Sequence, residues 1–417
     1  VIQMKSTGIC GSDLHPYRHP TPLHLDPGFI SGHEPCGVIA EIGKDVSGWE
    51  LGERVVPYFR RTCGHCVYCR AGRRNVCVNR RASYGHQGQD GSHAEYMRVE
   101  KDCLIALPEH LSFLDGAILS CQGGTAYAPL TRLGVSGRDV LVVSGLGPVG
   151  LLSVIFAKPM GATIVGIDPS PGRRALAEKL GAVLTLDPTA GPVGEQLHDQ
   201  FPDGADKLTE TSGATPAHQA IGDLLKPLGT AAIVGLGNPN FQMPMRHLAM
   251  RELTVFGSSI YPNVQFDEMT EFIKRHKVDL SSIVSHQMPL EEGPAAFEIA
   301  AEANFQLEQK LVKLPGVSSV YRRTGRSDGI DAESGPLPNH SRTSWIRDRK
   351  LARQLAMGAE QRASRWSTTC DVRRERAVPE QHGRRQGVSG ILLASEQRPP
   401  RHQRWERRGD ADGEQHR

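Results

Sequence analysis

Val140-Leu-Val-Val-Ser144-Gly145-Leu146-Gly147-Pro148-Val149-Gly150 is an apolar strand-like run that passes through a Gly-x-Gly-x-x-Gly turn into a helix-forming stretch. Alone the glycine pattern is a weak signal, but its place between a strand and a helix makes it informative. The glycines permit a tight turn and close approach to the backbone, so a pyrophosphate can rest on the amides and dipole of the helix N-terminus. Outward from this turn, strand-like runs at residues 163–167, 183–186 and 230–234 alternate with helix candidates at 149–158, 172–180 and 216–225. That alternation predicts a parallel sheet wrapped by helices, an α/β arrangement. Thr215 is the expected N-cap of the last helix, and Pro159 is expected to end or kink the first.

Asp168 closes the strand after the turn, 18 residues beyond Gly150. A carboxylate there can accept from both ribose hydroxyls of a dinucleotide and repel a 2′-phosphate, which favours NAD over NADP. Arg173 and Arg174 follow closely, and an arginine there can pair with a 2′-phosphate. The cofactor-binding set is therefore Gly145, Gly147, Pro148, Val149, Gly150, Asp168 and Arg173.

Before the sheet, residues 1–123 are rich in glycine and short β-type runs such as 38–42 and 54–57, with no long helical period. Within them Cys63, Cys66, Cys69 and Cys77 have the spacing C-x2-C-x2-C-x7-C. Four thiolates on so short a loop can close a tetrahedral zinc site with no open position, which makes the site structural. His65 is inside the loop, but four sulfurs complete the shell, so it is expected to face solvent.

The 417 residues, 38% hydrophobic and 23% charged, suit two globular domains, and a net charge of +3 demands no nucleic-acid surface. No apolar run reaches the roughly 20 residues that span a bilayer, and no signal-peptide order opens the chain, so a cytoplasmic protein without membrane contact is expected. Beyond about residue 317 the character changes: Lys350 is the only lysine of an arginine-rich stretch that mixes Trp345, Trp366, Trp405 and Cys370 without repeats. Two explanations compete for 317–417, a disordered basic tail or a non-native reading frame; the second is favoured, and neither gives it chemistry.

A dispersed set remains: Cys10 in Gly8-Ile9-Cys10-Gly11-Ser12-Asp13-Leu14-His15, His33-Glu34 in Gly32-His33-Glu34-Pro35, and Cys121 in Ser120-Cys121-Gln122-Gly123-Gly124. Singly, each reads equally well as an apolar thiol or a loop histidine. In this order, and with the four-cysteine loop, they resemble the medium-chain zinc alcohol dehydrogenases, from Val1 to about Leu314. The resemblance implies a GroES-like β-rich catalytic domain over 1–123, completed by 261–314, and a Rossmann NAD-binding domain over 124–260. It implies that Cys10, His33 and Cys121 bind a catalytic zinc, with Glu34 a carboxylate beside it, which makes two Zn2+ per chain. An open zinc position lowers the pKa of a bound alcohol, whose alkoxide is a better hydride donor. Ser12 and His15 match the family's catalytic proton relay, Asp13 would brace the loop, and Gly235-Leu236-Gly237 falls where the family's backbone flanks the nicotinamide. The partners implied are a small-molecule alcohol or polyol and a second or further copy of the chain, as a homodimer or homotetramer, and not nucleic acid.

Sorbitol-like and threonine-like relatives usually carry glutamate where this chain has Cys121, which tilts the reading toward a simple alcohol over a polyol. A non-catalytic zinc module binding nucleic acid is the remote alternative; Arg70, Arg73 and Arg74 come without the helix or aromatic interleaving of base readout. Two departures from the family stand out. Cys10 arrives almost at once, so the chain reads as N-terminally incomplete, with sheet edges and apolar surface exposed and marginal solubility expected. Residues 305–314 lack the glycine that usually precedes the terminal lysine and strand. A cooperative thermal melt of the recombinant chain is the observation that would contradict marginal folding.

Overall fold

The computed structural model describes residues 1–18, 28–80, 82–86, 89–237, 240–305 and 391–394. Along the chain come β1 (Ile2–Ile9), β2 (Pro35–Ile39), β3 (Arg54–Pro57), β4 (Arg60–Arg61), β5 (Ala82–Ser83), β6 (Tyr96–Met97) and β7 (Leu104–Ala106). They are followed by β8 (Val140–Ser144), β9 (Thr163–Ile167), β10 (Leu184–Leu186), β11 (Ala205–Glu210), β12 (Leu225–Ile233), β13 (Thr254–Gly257), β14 (His286–Met288) and β15 (Ile391–Ala394).

Strands β8 to β13 form one parallel sheet in the order β10-β9-β8-β11-β12-β13. Helices cover both faces of such a sheet, so its central strand has to be apolar at successive positions. Accordingly Leu141, Val142 and Val143 of β8 are fully buried. The strand order reverses between β8 and β11, which opens a crevice at the carboxyl ends of these two strands. The helix Pro148–Met160 leaves β8 at that crevice and is buried from Gly150 to Ala157. Its Phe156 ring stands 5.3 Å from Tyr127 and 6.3 Å from Phe272, in edge-to-face contacts that knit three helices together.

The first sheet runs β14-β15-β1-β2-β3-β7, with β6 also paired to β1. Because β1 and β2 are antiparallel, with Thr7 opposite Pro35 and Ile2 opposite Ile39, the residue that follows β1 and those that precede β2 meet at one end. That topology alone brings Cys10 to His33 and Glu34. Cys121 arrives on a helical run made of Phe113–Ile118, a π-helical turn Leu119–Gly123 and Gly124–Leu133. Ser112 starts it with a capping box: its hydroxyl accepts from the Asp115 amide, and the Asp115 carboxylate accepts from the Ser112 amide. Tyr261 packs the two sheets' elements together, its hydroxyl donating to the Ser120 carbonyl at 3.2 Å while its own carbonyl accepts from the Tyr58 hydroxyl at 2.8 Å.

Several sequence expectations are corrected. The helical run Phe113–Leu133 crosses Gly123, although no long helix was expected before that point; the capping box Ser112-x-x-Asp115 was its signal. Thr215 occupies the first helical position of Thr215–Leu224, the cap being Ala214 without a side-chain bond. Pro159 does not end its helix, which runs one residue further and stops where Gly161 turns left-handed at φ 90°. The strand expected at 38–42 is Pro35–Ile39, and β12 starts five residues before 230, passing a left-handed Leu228 at φ 65°. The tail is not wholly irregular: Ile391–Ala394 pairs antiparallel with β1, Thr7 opposite Leu393, and parallel with β14. Residues 306–390 and 395–417, including the 306–314 part of the expected closing segment, lie outside the described residues.

Because Phe156 is buried within three packed helices, Phe156→Ala should destabilise the protein by about 3–5 kcal/mol, against under ~1.5 kcal/mol for Leu151→Met. Denaturant titration read by tryptophan fluorescence measures both; equal costs would mean that the space filled by the Phe156 ring does not support the packing of the three helices.

Candidate metal and cofactor sites

The helix Gly11–Arg18 begins directly after Cys10, and its Asp13 carboxylate turns back to hold both that residue and the histidine opposite. Asp13 Oδ2 accepts from the Cys10 amide at 2.9 Å, and Oδ1 lies 3.0 Å from His33 Nδ1, both side chains buried. Burial alone would raise the Asp13 pKa, yet the facing His33 lowers it to about 2. For His33 burial favours the neutral ring, and the charges of Asp13 and Cys10 reverse this and hold its pKa well above the ordinary value. Fixing Nδ1 in this way turns Nε2 toward Cys10 as the atom available to a metal, the arrangement that orients metal-binding histidines.

Around that nitrogen the ligand atoms of Cys10, His33, Glu34 and Cys121 all lie within 4.8 Å of one another. The Cys10 thiol is pushed well down by its hydrogen bond with Cys121, and the same bond pushes Cys121 up. Glu34 is fully buried; desolvation, then Cys10, raises its pKa well above the usual range. Its Oε2 accepts from Gln122 Nε2 at 2.9 Å, while Oε1 has no hydrogen-bond partner among the described residues. Two soft sulfurs and an oriented imidazole fit a zinc ion with a fourth position to spare, and the orphaned carboxylate oxygen of Glu34 stands beside that position. Ser12 is exposed at the edge of this cluster, its Oγ 3.3 Å from His33 Nε2. His15 is exposed three residues further on the same helix, hence on the same face as Ser12.

The four-cysteine loop forms a second cluster, with all four sulfurs within 4.8 Å of one another. Cys63 and Cys77 are separated by 3.6 Å, Cys66 and Cys77 by 3.9 Å, and Cys63 and Cys69 by 4.0 Å. Sulfurs at the corners of a zinc tetrahedron stand about 3.8 Å apart, from a metal–sulfur distance of ~2.3 Å, so this spacing fits the ion and no open position. His65 is exposed with Nδ1 against the Cys63 carbonyl at 2.7 Å, outside the cluster as expected.

At the crevice of the parallel sheet, Gly145 is left-handed at φ 89°, and a Cβ on Gly150 would fall 1.8 Å from the Gly145 carbonyl oxygen. A Cβ on Gly147 would meet nothing within 4 Å, so the amide end of the helix Pro148–Met160 faces open space at that point. Asp168 follows β9 and accepts from the Leu146 and Ser170 amides, each at 2.8 Å. Arg173 Nη1 stands 3.7 Å from the same carboxylate, whereas Arg174 is engaged with Asp187 at 2.8 Å. The expected metal residues are thus brought together in two clusters, and the expected cofactor residues gather at and just beyond the carboxyl ends of β8 and β9. Sequence reasoning missed His86, whose ring centroid is 4.2 Å from that of His33 and whose ligand atom groups with Asp13, and Phe59, 5.1 Å from His33. Neither belongs to a motif, so no local signal marks them.

Comparison with known proteins bears on the fold and on the class of chemistry. Residues 1–109 match the alcohol dehydrogenase GroES-like domain, and residues 148–275 match the zinc-binding dehydrogenase domain. The chain is 34% identical over 318 residues to the uncharacterized zinc-type alcohol dehydrogenase-like protein YphC of Escherichia coli K12, covering 72% of this chain and 88% of that one. It is 32% identical over 303 residues to a sorbitol dehydrogenase of Halalkalibacterium halodurans, covering 71% and 86%. The solved alcohol dehydrogenase TADH from Thermus sp. ATN1 aligns with a TM-score of 0.68 at 29% identity, over 73% of this chain and 89% of its own. Fold and site together define a zinc-dependent oxidoreductase acting on the CH–OH group. The chain belongs to the medium-chain, zinc-type alcohol dehydrogenase family.

Since Asp13 orients His33 through one hydrogen bond, Asp13→Asn should weaken zinc retention about 10–100-fold. Zinc release to a chromogenic chelator measures it; a wild-type release rate would show that the carboxylate only braces the loop.

Proposed function

We propose that this enzyme oxidises an alcohol to a carbonyl compound with NAD as hydride acceptor, at a zinc held by Cys10, His33 and Cys121 with Glu34 beside them. The observation that carries the reading is the convergence of these four ligand atoms within 4.8 Å. A zinc ion bound there supplies a Lewis acid that lowers the pKa of the alcohol hydroxyl. The hydroxyl proton passes to Ser12 Oγ and leaves through the His15 imidazole, whose exposure gives it access to water. NAD bound at the sheet's crevice would supply the hydride acceptor; the amides behind Gly147 would hold its pyrophosphate, with Pro148, Val149 and Gly150 opening the helix, and Asp168 would take the ribose. Asp168 supports NAD, and Arg173 beside it lessens the repulsion toward a 2′-phosphate, so discrimination against NADP should be moderate.

The second zinc belongs to Cys63, Cys66, Cys69 and Cys77, with a structural role. Cys121 in place of a carboxylate supports a simple alcohol over a polyol; the polyol reading stands as the second, on the likeness to sorbitol dehydrogenase. A cytoplasmic homodimer or homotetramer completes the reading. Among the described residues no helix is long and apolar enough to cross a membrane.

Metal analysis of protein purified without chelator should find about two zinc ions per chain, falling to about one in Cys66→Ser. One ion in the wild type would remove the Cys10, His33 and Cys121 site, and none in folded protein would remove both. Ser12→Ala should lower kcat by about 10²-fold with zinc content unchanged; a loss under threefold would take the relay away from Ser12.

A further inference from the structure

Glu210, fully buried at the end of β11, ties its own turn together. Its carboxylate accepts from the Ser212 amide at 2.8 Å, from the Ser212 hydroxyl, and from the Gly213 amide at 3.0 Å to each oxygen. Its carbonyl accepts from the Val234 and Gly235 amides at 2.8 and 3.0 Å, which fastens the end of β12. On one side the turn abuts the phosphate loop: Thr211 Oγ1 donates to the Gly145 carbonyl at 2.7 Å, and a Cβ on Gly145 would fall 2.8 Å from Ser212 Cβ. On the other side it abuts residues 235–237: a Cβ on Gly213, left-handed at φ 68°, would fall 2.1 Å from the Gly237 nitrogen, and one on Gly235 would fall 2.1 Å from the Gly213 nitrogen and 2.8 Å from Glu210 Oε2. The turn is therefore a wedge that sets the spacing between the Gly145–Gly150 loop and the loop after β12.

Behind the wedge is His218, in the helix Thr215–Leu224 and 2% exposed, with Nε2 3.3 Å from Glu210 Oε2. Neither of its ring nitrogens has a hydrogen-bond partner among the described residues, and its ring packs 5.0 Å from Phe241. A buried imidazole is costly unless a polar neighbour compensates it, and Glu210 is such a neighbour. A dinucleotide laid across the carboxyl ends of a doubly wound sheet, with one ribose at Asp168 and its pyrophosphate at Gly147, continues over the ends of β11 and β12. We infer that His218 and Glu210 are positioning residues for this second, nicotinamide-bearing half of the cofactor, acting through the Thr211–Gly213 wedge. The inference rests on the dinucleotide reading above. It predicts that loss of the imidazole weakens ligands that reach over β11 and leaves alone those that stop at the first ribose and phosphate.

The test is equilibrium binding of NADH, read by its fluorescence, and of AMP, read by competition, to the zinc-loaded full chain and to His218→Leu and His218→Gln. Expected are an NADH dissociation constant raised about tenfold in the leucine variant, AMP affinity unchanged within about twofold, and recovery in the glutamine variant, whose amide restores a polar group facing Glu210. Unchanged NADH affinity in His218→Leu would overturn the inference, as would parallel weakening of NADH and AMP with a lowered melting temperature, which marks a merely structural histidine. If the leucine variant does not fold, His218→Phe, which fills the site without a donor, gives the same outcomes. Absence of both NADH and AMP binding in the wild type would overturn the dinucleotide reading itself.

Discussion

The Gly145–Gly150 contact is the constraint on which the cofactor side of the molecule depends. Only 1.8 Å would separate a Gly150 Cβ from the Gly145 carbonyl, so the helix Pro148–Met160 reaches β8 at a distance that no side chain permits. From that approach follow the burial of the helix from Gly150 to Ala157 and the exposure of its amide end beside Gly147. The same closeness lets Thr211 reach the Gly145 carbonyl and lock the neighbouring strand end. Packing and ligand recognition are set here by one contact.

On the other side the comparable element is Asp13. Two of its contacts, to the Cys10 amide and to His33 Nδ1, join the end of β1 to the start of β2. A buried carboxylate is tolerable only when such partners surround it, and these partners are at once a structural tie and a pair of candidate ligands. Stability of the strand junction and geometry of the donor set are therefore the same quantity.

Legibility in the sequence followed the range of the interaction. The parallel sheet could be read because each strand, turn and helix announces itself within a dozen residues, as residues 140–150 do. The four-cysteine loop could be read because its donors share one loop. Cys10, His33, Glu34 and Cys121 are brought together by an antiparallel pairing and a helix that no local pattern reports, so their grouping needed the family resemblance. What escaped was either a boundary decided by backbone conformation, such as left-handed Gly161 and Leu228, or a contact made only in three dimensions: His86 against His33, His218 against Glu210, Tyr261 between Tyr58 and Ser120. The four-residue strand inside the arginine-rich tail escaped because an isolated apolar run that short does not declare its partner.

That strand bears on how the molecule assembles. Every pairing of the parallel sheet joins segments within residues 140–257, whereas β1 is flanked by β2 on one side and on the other by β6 at Ile2 and Gln3 and by residues 391–394 at Ser6 to Ile9. Closing so long a loop adds only slowly to the entropic cost, about 0.6 kcal/mol per doubling of length, so equilibrium scarcely registers the separation. Kinetics does, because distant pairings slow folding. During synthesis β6 can cover Ile2 and Gln3 early, but Ser6 to Ile9 hold an open edge until residues 391–394 emerge, and an open edge is where one chain can pair with another.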